Sequence, residues 1–385
     1  MKKKIVAGAV SGVLFALTHN AHATNGDQML GITATQWGMA GAVVAAPQDA
    51  ATTMYNPAGL ATLGIKEVRF DMGVGLLNPP RQFNDIDSNS DFYLMPAGAA
   101  AFNVDDRLFF GMTMGGISGS GVDFADVSPA AGAQAVVTTK QSYKIVPGFA
   151  YKVSDQLSVG ATLQIGYQSL AMYNGMNPAS VLALPQTQVY GYGMSAGVIY
   201  KISDEVQMGA SWTSKTSMGE FRWNTNNGTY SMTMDMPQSY AVGVAYKPMP
   251  GLLIEADVKQ IDFSDVLDKV AFQTPAGASS MNFGWSNQTV YAIGVQQEIS
   301  DKTTVRIGFN YGKSPIGPED VNANIGSLAI TERHLSLGLT RKFSEKVSSS
   351  FSYVHAFRNE ITSSTSSNKI ELEQNIVNIQ LSYQF

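Results

Sequence analysis

The segment LSVGATLQIGYQ, positions 157–168, sets Leu157, Val159, Ala161, Leu163, Ile165 and Tyr167 against Ser158, Gly160, Thr162, Gln164, Gly166 and Gln168. Twelve residues with period two describe a β-strand, longer than the usual five or six residues. The C-terminus repeats the pattern: Val377, Ile379, Leu381, Tyr383 and Phe385 alternate with Asn378, Gln380, Ser382 and Gln384. YGYGMSAGVIY (190–200), YAVGVAY (240–246), VRIGFNY (305–311), HLSLGLT (334–340) and FSYVHAF (351–357) alternate in the same way. The short connectors VDDR, VSDQ, ISDE, KPMPG, ISDK and FSEK separate successive pairs, while the opposite connectors are long and polar. Six short turns imply twelve strands, and one strand before residue 77 and one at the C-terminus make fourteen. The expected spans are 67–76, 92–103, 108–118, 141–152, 157–170, 187–201, 206–217, 236–246, 252–262, 288–299, 304–313, 332–342, 347–357 and 375–385.

An even count puts both chain ends on the short-turn side and lets the ladder close without a free edge, as hydrocarbon requires. The fold class is therefore all-β: a transmembrane antiparallel up-and-down β-barrel of the outer-membrane type, with short turns at one end and long loops at the other. Tyr151, Tyr200, Tyr246, Phe343 and Phe385 fall at the turn-side strand ends, as an interfacial aromatic girdle does. A soluble β-sandwich or β-helix is opposed by strand length, loop asymmetry and the leader described next. MKKK followed by IVAGAVSGVLFAL and ending in AHA at Ala23 has the n-region, short apolar h-region and A-x-A site of a secretory signal peptide, so 1–23 is read as removed and Thr24 as the first mature residue. The expected location is the outer membrane of a Gram-negative bacterium. Charged residues are 14% of the chain, against about 25% in an average protein. The net charge of −5 includes no basic stripe beyond the N-terminus, which argues against nucleic acid as a partner. The chain has no cysteine, which excludes disulfides and thiolate metal sites.

Residues 24–65 do not alternate, are rich in Ala, Gly and Thr, and are too few to bury a core alone. A fourteen-stranded barrel has a lumen too wide for small side chains to fill. The domain plan is thus a signal peptide (1–23), a plug or hatch (24–65) and a barrel (66–385). GMAGAVVAAPQDAATTMYNPAGLA, with Asp49-Ala50 and then Asn56, Pro57 and Ala58, resembles the N-terminal hatch of the FadL family of outer-membrane transporters for long-chain fatty acids and other hydrophobic compounds. The resemblance extends to the third strand, RLFFGMTMGGISGSG, and in outline to the whole mature chain. It implies passive uptake of a hydrophobic molecule, a long-chain fatty acid or else an aromatic or aliphatic hydrocarbon. The cargo would leave sideways near the third strand, with Asn56-Pro57-Ala58 packed at an inward kink there. Gly115, Gly116, Gly119 and Gly121 interrupt that strand and supply the kink in this reading, since interior strand glycines mark bulges or close approach.

No enzyme is expected. Among the histidines left after cleavage, His334 and His355, neither adjoins a nucleophile motif, and both are expected to be exposed. No metal cluster, phosphate loop or cofactor is implied. A fatty acid needs an apolar pocket with a cation for its carboxylate. By strand parity the inward basic candidates are Arg69, Lys144, Lys259 and Arg306, with Asp71, Glu255 and Asp257 also inward and able to neutralise them. Phe109, Leu30 and Trp37, with Ile32, supply apolar candidates. Tyr383 and Phe385 form a C-terminal signal for the barrel-assembly machinery. The remaining expected partners are outer-membrane lipid and lipopolysaccharide, and the barrel is expected to act as a monomer. A general porin and a structural or adhesive barrel are the competing functions.

Overall fold

The structure is a computed structural model and describes residues 24–124, 135–176 and 181–385. The expected signal peptide lies outside the described residues. Fourteen long strands form one antiparallel ladder: β1 (Val68–Asn78), β2 (Tyr93–Asn103), β3 (Leu108–Asp123), β4 (Val136–Lys152), β5 (Leu157–Asn174), β6 (Leu182–Lys201) and β7 (Val206–Thr213). The second half is β8 (Ser239–Met249), β9 (Leu252–Ile261), β10 (Gln288–Ser300), β11 (Thr303–Gly312), β12 (Arg333–Lys342), β13 (Val347–Thr362) and β14 (Lys369–Gln384). Strand β14 pairs with β1 from Asn375 opposite Asn78 to Gln384 opposite Arg69, so the barrel is closed.

The pattern that predicted the strands is the pattern of their faces. Along β3, Phe109, Gly111, Thr113 and Gly115 are buried while Phe110, Met112 and Met114 are exposed on the outside. That apolar outer face is what a strand in lipid requires. Several strands run past their expected ends on the long-loop side: β4 begins at Val136 rather than 141, and β13 reaches Thr362 rather than 357. There the ladder continues beyond the membrane, where water on both faces removes the alternation but not the hydrogen bonds. At the opposite end one device recurs in the short turns. Asp105 Oδ1 accepts the N–H groups of Arg107 and Leu108, each at 2.8 Å, and Ser154, Ser203 and Ser344 do the same with their hydroxyls.

The long loops build a lid that the alternation did not announce. Phe221–Thr225, Gly228–Met232, Lys269–Thr274 and Gly277–Asn282 make a separate four-stranded sheet, joined where Ser231 faces Gln273 and Met232 faces Phe272. Phe221 and Trp223 of its first strand stack at 5.6 Å, both buried.

Residues 24–65 sit among the inward side chains of the wall. Their three short helices, Ala34–Gly38, Ala50–Met54 and Pro57–Thr62, each start at a side chain that accepts a backbone N–H: Thr33, Asp49 and Asn56. Small residues allow this segment to press on the wall: Ala42, Ala45, Ala50, Ala51 and Ala58 have no exposed surface.

Candidate functional site

Asn56 opens the last hatch helix, with its Oδ1 accepting from Ala58 N at 3.2 Å and Pro57 in the first turn, where a missing N–H costs nothing. Its Nδ2 donates to Val44 O at 2.7 Å and to Val198 O of β6 at 3.2 Å. Opposite it the wall presents Gly197 of β6 and Gly160 of β5. A Cβ at Gly197 would stand 2.0 Å from Asn56 Oδ1, and one at Gly160 would stand 2.6 Å from Ala58 N. The Asn-Pro-Ala motif therefore seats against β5 and β6. This corrects the expectation that it packs at the third strand; a helix-starting Asn needs a wall carbonyl and a side-chain-free surface, and β5 and β6 provide both.

The third strand nevertheless carries an opening. Strand β2 pairs with β3 from Asn103 opposite Phe109 up to Ala97 opposite Gly115, and no further. Beyond Gly115, β3 keeps its ladder to β4 through a register shift between Gly116 and Ser118. Pairing on the β2 side resumes only at Asp123, whose N–H donates to Ser88 Oγ at 2.9 Å and whose carbonyl accepts from Asn89 N at 2.8 Å. Between these points Tyr93 and Met95 of β2 face Gly116, Gly119 and Ser120 of β3 across a cavity of about 330 Å³. The hatch contributes its first turn here. Gln28 is the bridge partner of Ser118, Gly119 N donates to Asp27 O at 3.3 Å, and Asp27 Oδ2 lies 2.7 Å from both Ser118 Oγ and Lys140 Nζ. Backbone groups that β2 no longer satisfies thus find partners on residues 27 and 28, which apolar surroundings cannot supply.

Inside the barrel a chamber of about 90 Å³ lies between hatch and wall, bordered by Leu30, Met54, Tyr55, Ile117, Lys144 and Lys259. Lys144 is buried and donates to Gln164 Oε1 at 2.5 Å; Lys259 stands 5.9 Å from the centre of the Tyr55 ring. Neither lysine forms an ion pair among the described residues. The inward acids are used elsewhere. Asp257 and Glu255 hold hatch N–H groups, and Asp71 pairs with Arg69 at 2.8 Å.

The other candidates separate from this chamber. Arg69 and Arg306 border a polar cavity of about 420 Å³ at the short-turn end, where Arg306 donates to Gln48 Oε1 and to Thr340 Oγ1. Phe109 is buried in the cluster that holds Leu60, Ala61 and Ile65, and Trp37 packs with Met29, Val354 and Ile376. A third pocket of about 70 Å³ on the long-loop side is mostly apolar, with Met172, Met234, Leu267, Phe283 and Trp285, and it meets Asp27 and Lys140 at its floor. His355 is partly exposed and bonds Asn375 Oδ1 at 2.8 Å. His334 is not exposed, contrary to expectation: it points into the lumen beneath the hatch, with no accessible surface.

The family model for outer membrane protein transport proteins (OMPP1/FadL/TodX) matches residues 15–385. The chain belongs to the OMPP1/FadL/TodX family. It is an outer-membrane β-barrel transporter of hydrophobic compounds, in a family of transport channels rather than enzymes. Among solved structures it is similar to the Pseudomonas putida toluene transporter TodX, at 19% identity and a TM-score of 0.79 over 92% of this chain and 99% of that one. A Pseudomonas aeruginosa FadL homologue shows 15% identity and a TM-score of 0.78 over 94% and 100% of the two chains. The CymD monoaromatic hydrocarbon channel shows 18% and 0.68 over 94% and 99%. At these identities the likeness is one of fold. The comparison with curated proteins found no match. Within this FadL-type frame, Asp27, Gln28 and Tyr55 are the residues that sequence reasoning passed over. Asp27 and Gln28 stand in a short polar stretch that reads as a turn, and only the wall opposite gives them work.

Proposed function

We propose that this FadL-family channel takes up long-chain fatty acids, holding the carboxylate at Lys144 and Lys259 and releasing the molecule sideways through the gap between β2 and β3. The lysine pair carries the reading. Two ammonium groups without a carboxylate partner border a lumenal chamber of mixed polar and apolar lining, whose one acid, Asp257, is engaged by hatch amides, and a chain with an anionic head supplies what they lack. The gap gives a route: a greasy molecule is excluded by the sugar layer outside and favoured by the membrane core, so a lateral door leads downhill. The hatch, by blocking the axial path, makes that door the shorter way out.

The test is uptake of radiolabelled oleate and of toluene by cells carrying wild type, Lys144→Met, Lys259→Met or both. Oleate uptake falls by about tenfold or more in the double variant, as loss of charge-assisted hydrogen bonds worth about 1.5–3 kcal/mol requires, while toluene uptake is unchanged. Equal oleate uptake by all four sinks the fatty-acid reading. A second reading, uptake of aromatic or aliphatic hydrocarbons by the same route, is favoured by the apolar pocket at Met172, Phe283 and Trp285. Toluene uptake that survives the lysine changes and fails in Trp285→Ala is its signature. A general porin would swell liposomes in small sugars, which a plugged barrel does not.

A further inference from the structure

One level of the inner wall is rich in acceptors with nothing to accept. Asn310 of β11 lies opposite His334 of β12, His334 opposite Ala356 of β13, and Ala356 opposite Gln374 of β14. All four are buried. Asn310 Nδ2 donates to Ala40 O at 3.1 Å, but its Oδ1 has no partner, and neither have Gln374 Oε1 or either ring nitrogen of His334. Ala356, between the two larger polar side chains, belongs to the buried apolar cluster that holds Met29 and Trp37 of the hatch. A buried acceptor without a donor costs about 1–3 kcal/mol, so several at one level mark a site built for something.

Thr24 and Asn25 face this row. Thr24 is held to Thr331, three residues before His334, by paired hydroxyls at 3.0 Å and by donation from Thr331 to its carbonyl. The His334 ring lies against the backbone of Thr24 and of Asn310; of its two nitrogens one carries the proton and the other is an acceptor. Asn25 Oδ1, beside it, is a further buried acceptor without a donor. Thr24 itself is 3% exposed. It is also the residue that follows the A-x-A sequence at Ala23.

We infer that this row is a docking site for the α-amino group of Thr24, created when the leader is cut after Ala23, so that processing itself completes the seat of the hatch. Hydrolysis of the Ala23–Thr24 peptide bond gives the Ala23 carboxylate and a terminal amine. An amide nitrogen offers one N–H, whereas the freed amine offers two, or three when protonated, to the unpartnered oxygens of Asn25, Asn310 and Gln374 and to the unprotonated nitrogen of His334. Capture of a chain terminus in this way fixes the hairpin Thr24–Asn25/Gln28–Met29, and with it Gln28 against Ser118 at the inner edge of the wall gap. The inference rests on the geometry at Thr24 and is independent of which cargo the channel carries.

The experiment uses the protein isolated from outer membranes. Intact-mass and N-terminal peptide measurements first place the mature terminus, expected at Thr24. The folded barrel is then treated with formaldehyde and cyanoborohydride, and methylation of the α-amine is followed against that of exposed lysines. In wild type the α-amine reacts about tenfold or more slowly than in the denatured chain, because labelling waits for the hatch to open. A variant with Ser-Gly inserted between Ala23 and Thr24 keeps the cleavage sequence but moves the amine out of the row, and its amine labels at the denatured rate while the barrel stays heat-modifiable. His334→Leu, where it folds, gives intermediate protection. A mature terminus elsewhere than Thr24, or a wild-type amine that labels as fast as the inserted one, overturns the inference.

Discussion

Asp257 Oδ2 accepts the backbone N–H of Val43 at 2.7 Å, from the wall to the hatch. The same oxygen takes Val44 N at 3.0 Å, and two residues earlier on β9 Glu255 Oε1 takes Ala45 N and Ala46 N at 2.7 and 2.8 Å. Four consecutive hatch amides thus hang on two carboxylates that period two places on one face. Both acids are buried. An amide side chain keeps an acceptor there but loses its charge, and hydrogen bonds to charged acceptors contribute about 1 kcal/mol more than neutral ones. Asp257→Asn combined with Glu255→Gln is therefore expected to loosen the hatch by roughly 2–4 kcal/mol over four bonds. Planar-bilayer recordings should show longer and more frequent openings than wild type, with heat-modifiable mobility intact. Identical traces would mean that the hatch is held by its apolar contacts alone.

Removal of residues 24–60 behind an intact leader is the stronger form of the same experiment. Each barrel strand completes its ladder with its two neighbours, apart from the gap between β2 and β3, and β14 closes on β1 without help from the hatch. The expected product is a folded barrel in the outer membrane that conducts small ions steadily. Conductance equal to that of wild type would show that the segment does not plug the lumen.

Proton binding in the hatch sets a pH dependence. Burial, and the neighbouring Asp71 carboxylate, push the Asp49 carboxyl from 3.8 up to about 6. The seated hatch therefore holds that proton more tightly than a released hatch does. Seating is most favourable below 3.8 and weakens as pH rises through about 6. Asp27 works the other way: burial alone would raise its carboxyl, but the Lys140 ammonium overcomes this and lowers it, so its contribution is lost only below 3.8. Opening frequency in bilayers should rise between pH 4 and 6 more steeply in wild type than in Asp49→Asn. Parallel curves would remove Asp49 from the account.

The barrel was legible because lipid makes the same demand of every strand: each outward position must be apolar, so Leu157 to Gln168 betrays its fold without reference to any other segment. The lid sheet was not, since Phe221–Thr225 and Lys269–Thr274 are short and find one another across a wide sequence interval. In the hatch, local chemistry was readable and partnership was not. Asn56-Pro57 reads as the start of something turn-like, which it is, but nothing near it in the chain tells that Gly160 and Gly197 lie opposite. The glycines after Met114 drew attention to the third strand, yet the partners of its freed backbone are Asp27 and Gln28, some ninety residues earlier. Strand parity put Asp257 and Lys259 on one face. That Asp257 serves hatch amides rather than the lysine is decided by the path of the hatch.

At the other end of the chain, Phe385 N donates to Val68 O at 2.9 Å, its ring meets Tyr383 edge-on at 4.5 Å, and Lys346 lies 5.7 Å over it. The terminal aromatic thus sits at the seam where the barrel closes. Deleting Phe385 removes a closing bond and the exposed aromatic that assembly factors would read. Outer-membrane levels should drop several-fold and periplasmic fragments should accumulate. Unchanged levels in fractionated cells would leave Phe385 a girdle residue only.

The decisive prediction concerns the wall gap. Gln28 and Ser118 are antiparallel partners where the hatch touches β3 beyond its break from β2. Directly opposed antiparallel residues have Cα atoms about 4.5–5.5 Å apart, within the span of a disulfide, and the chain has no cysteine to compete. Cysteines at both positions should join in the oxidising periplasm and pin the first turn of the hatch across the inner side of the gap. Gly115→Val approaches the same end from the wall. A Cβ there meets Ala97 and Ile32 at an ordinary 3.5 Å, so the added methyls wedge between the last β2 pair and the hatch at the edge of the opening. Both changes should cut uptake of labelled oleate severely while the barrel keeps its heat-modifiable mobility, and reduction with dithiothreitol should restore the disulfide variant alone. That reversal separates a blocked door from a damaged barrel. If uptake continues at the wild-type rate with the disulfide shown by mass spectrometry to be formed, cargo does not pass between β2 and β3 and the lateral route falls.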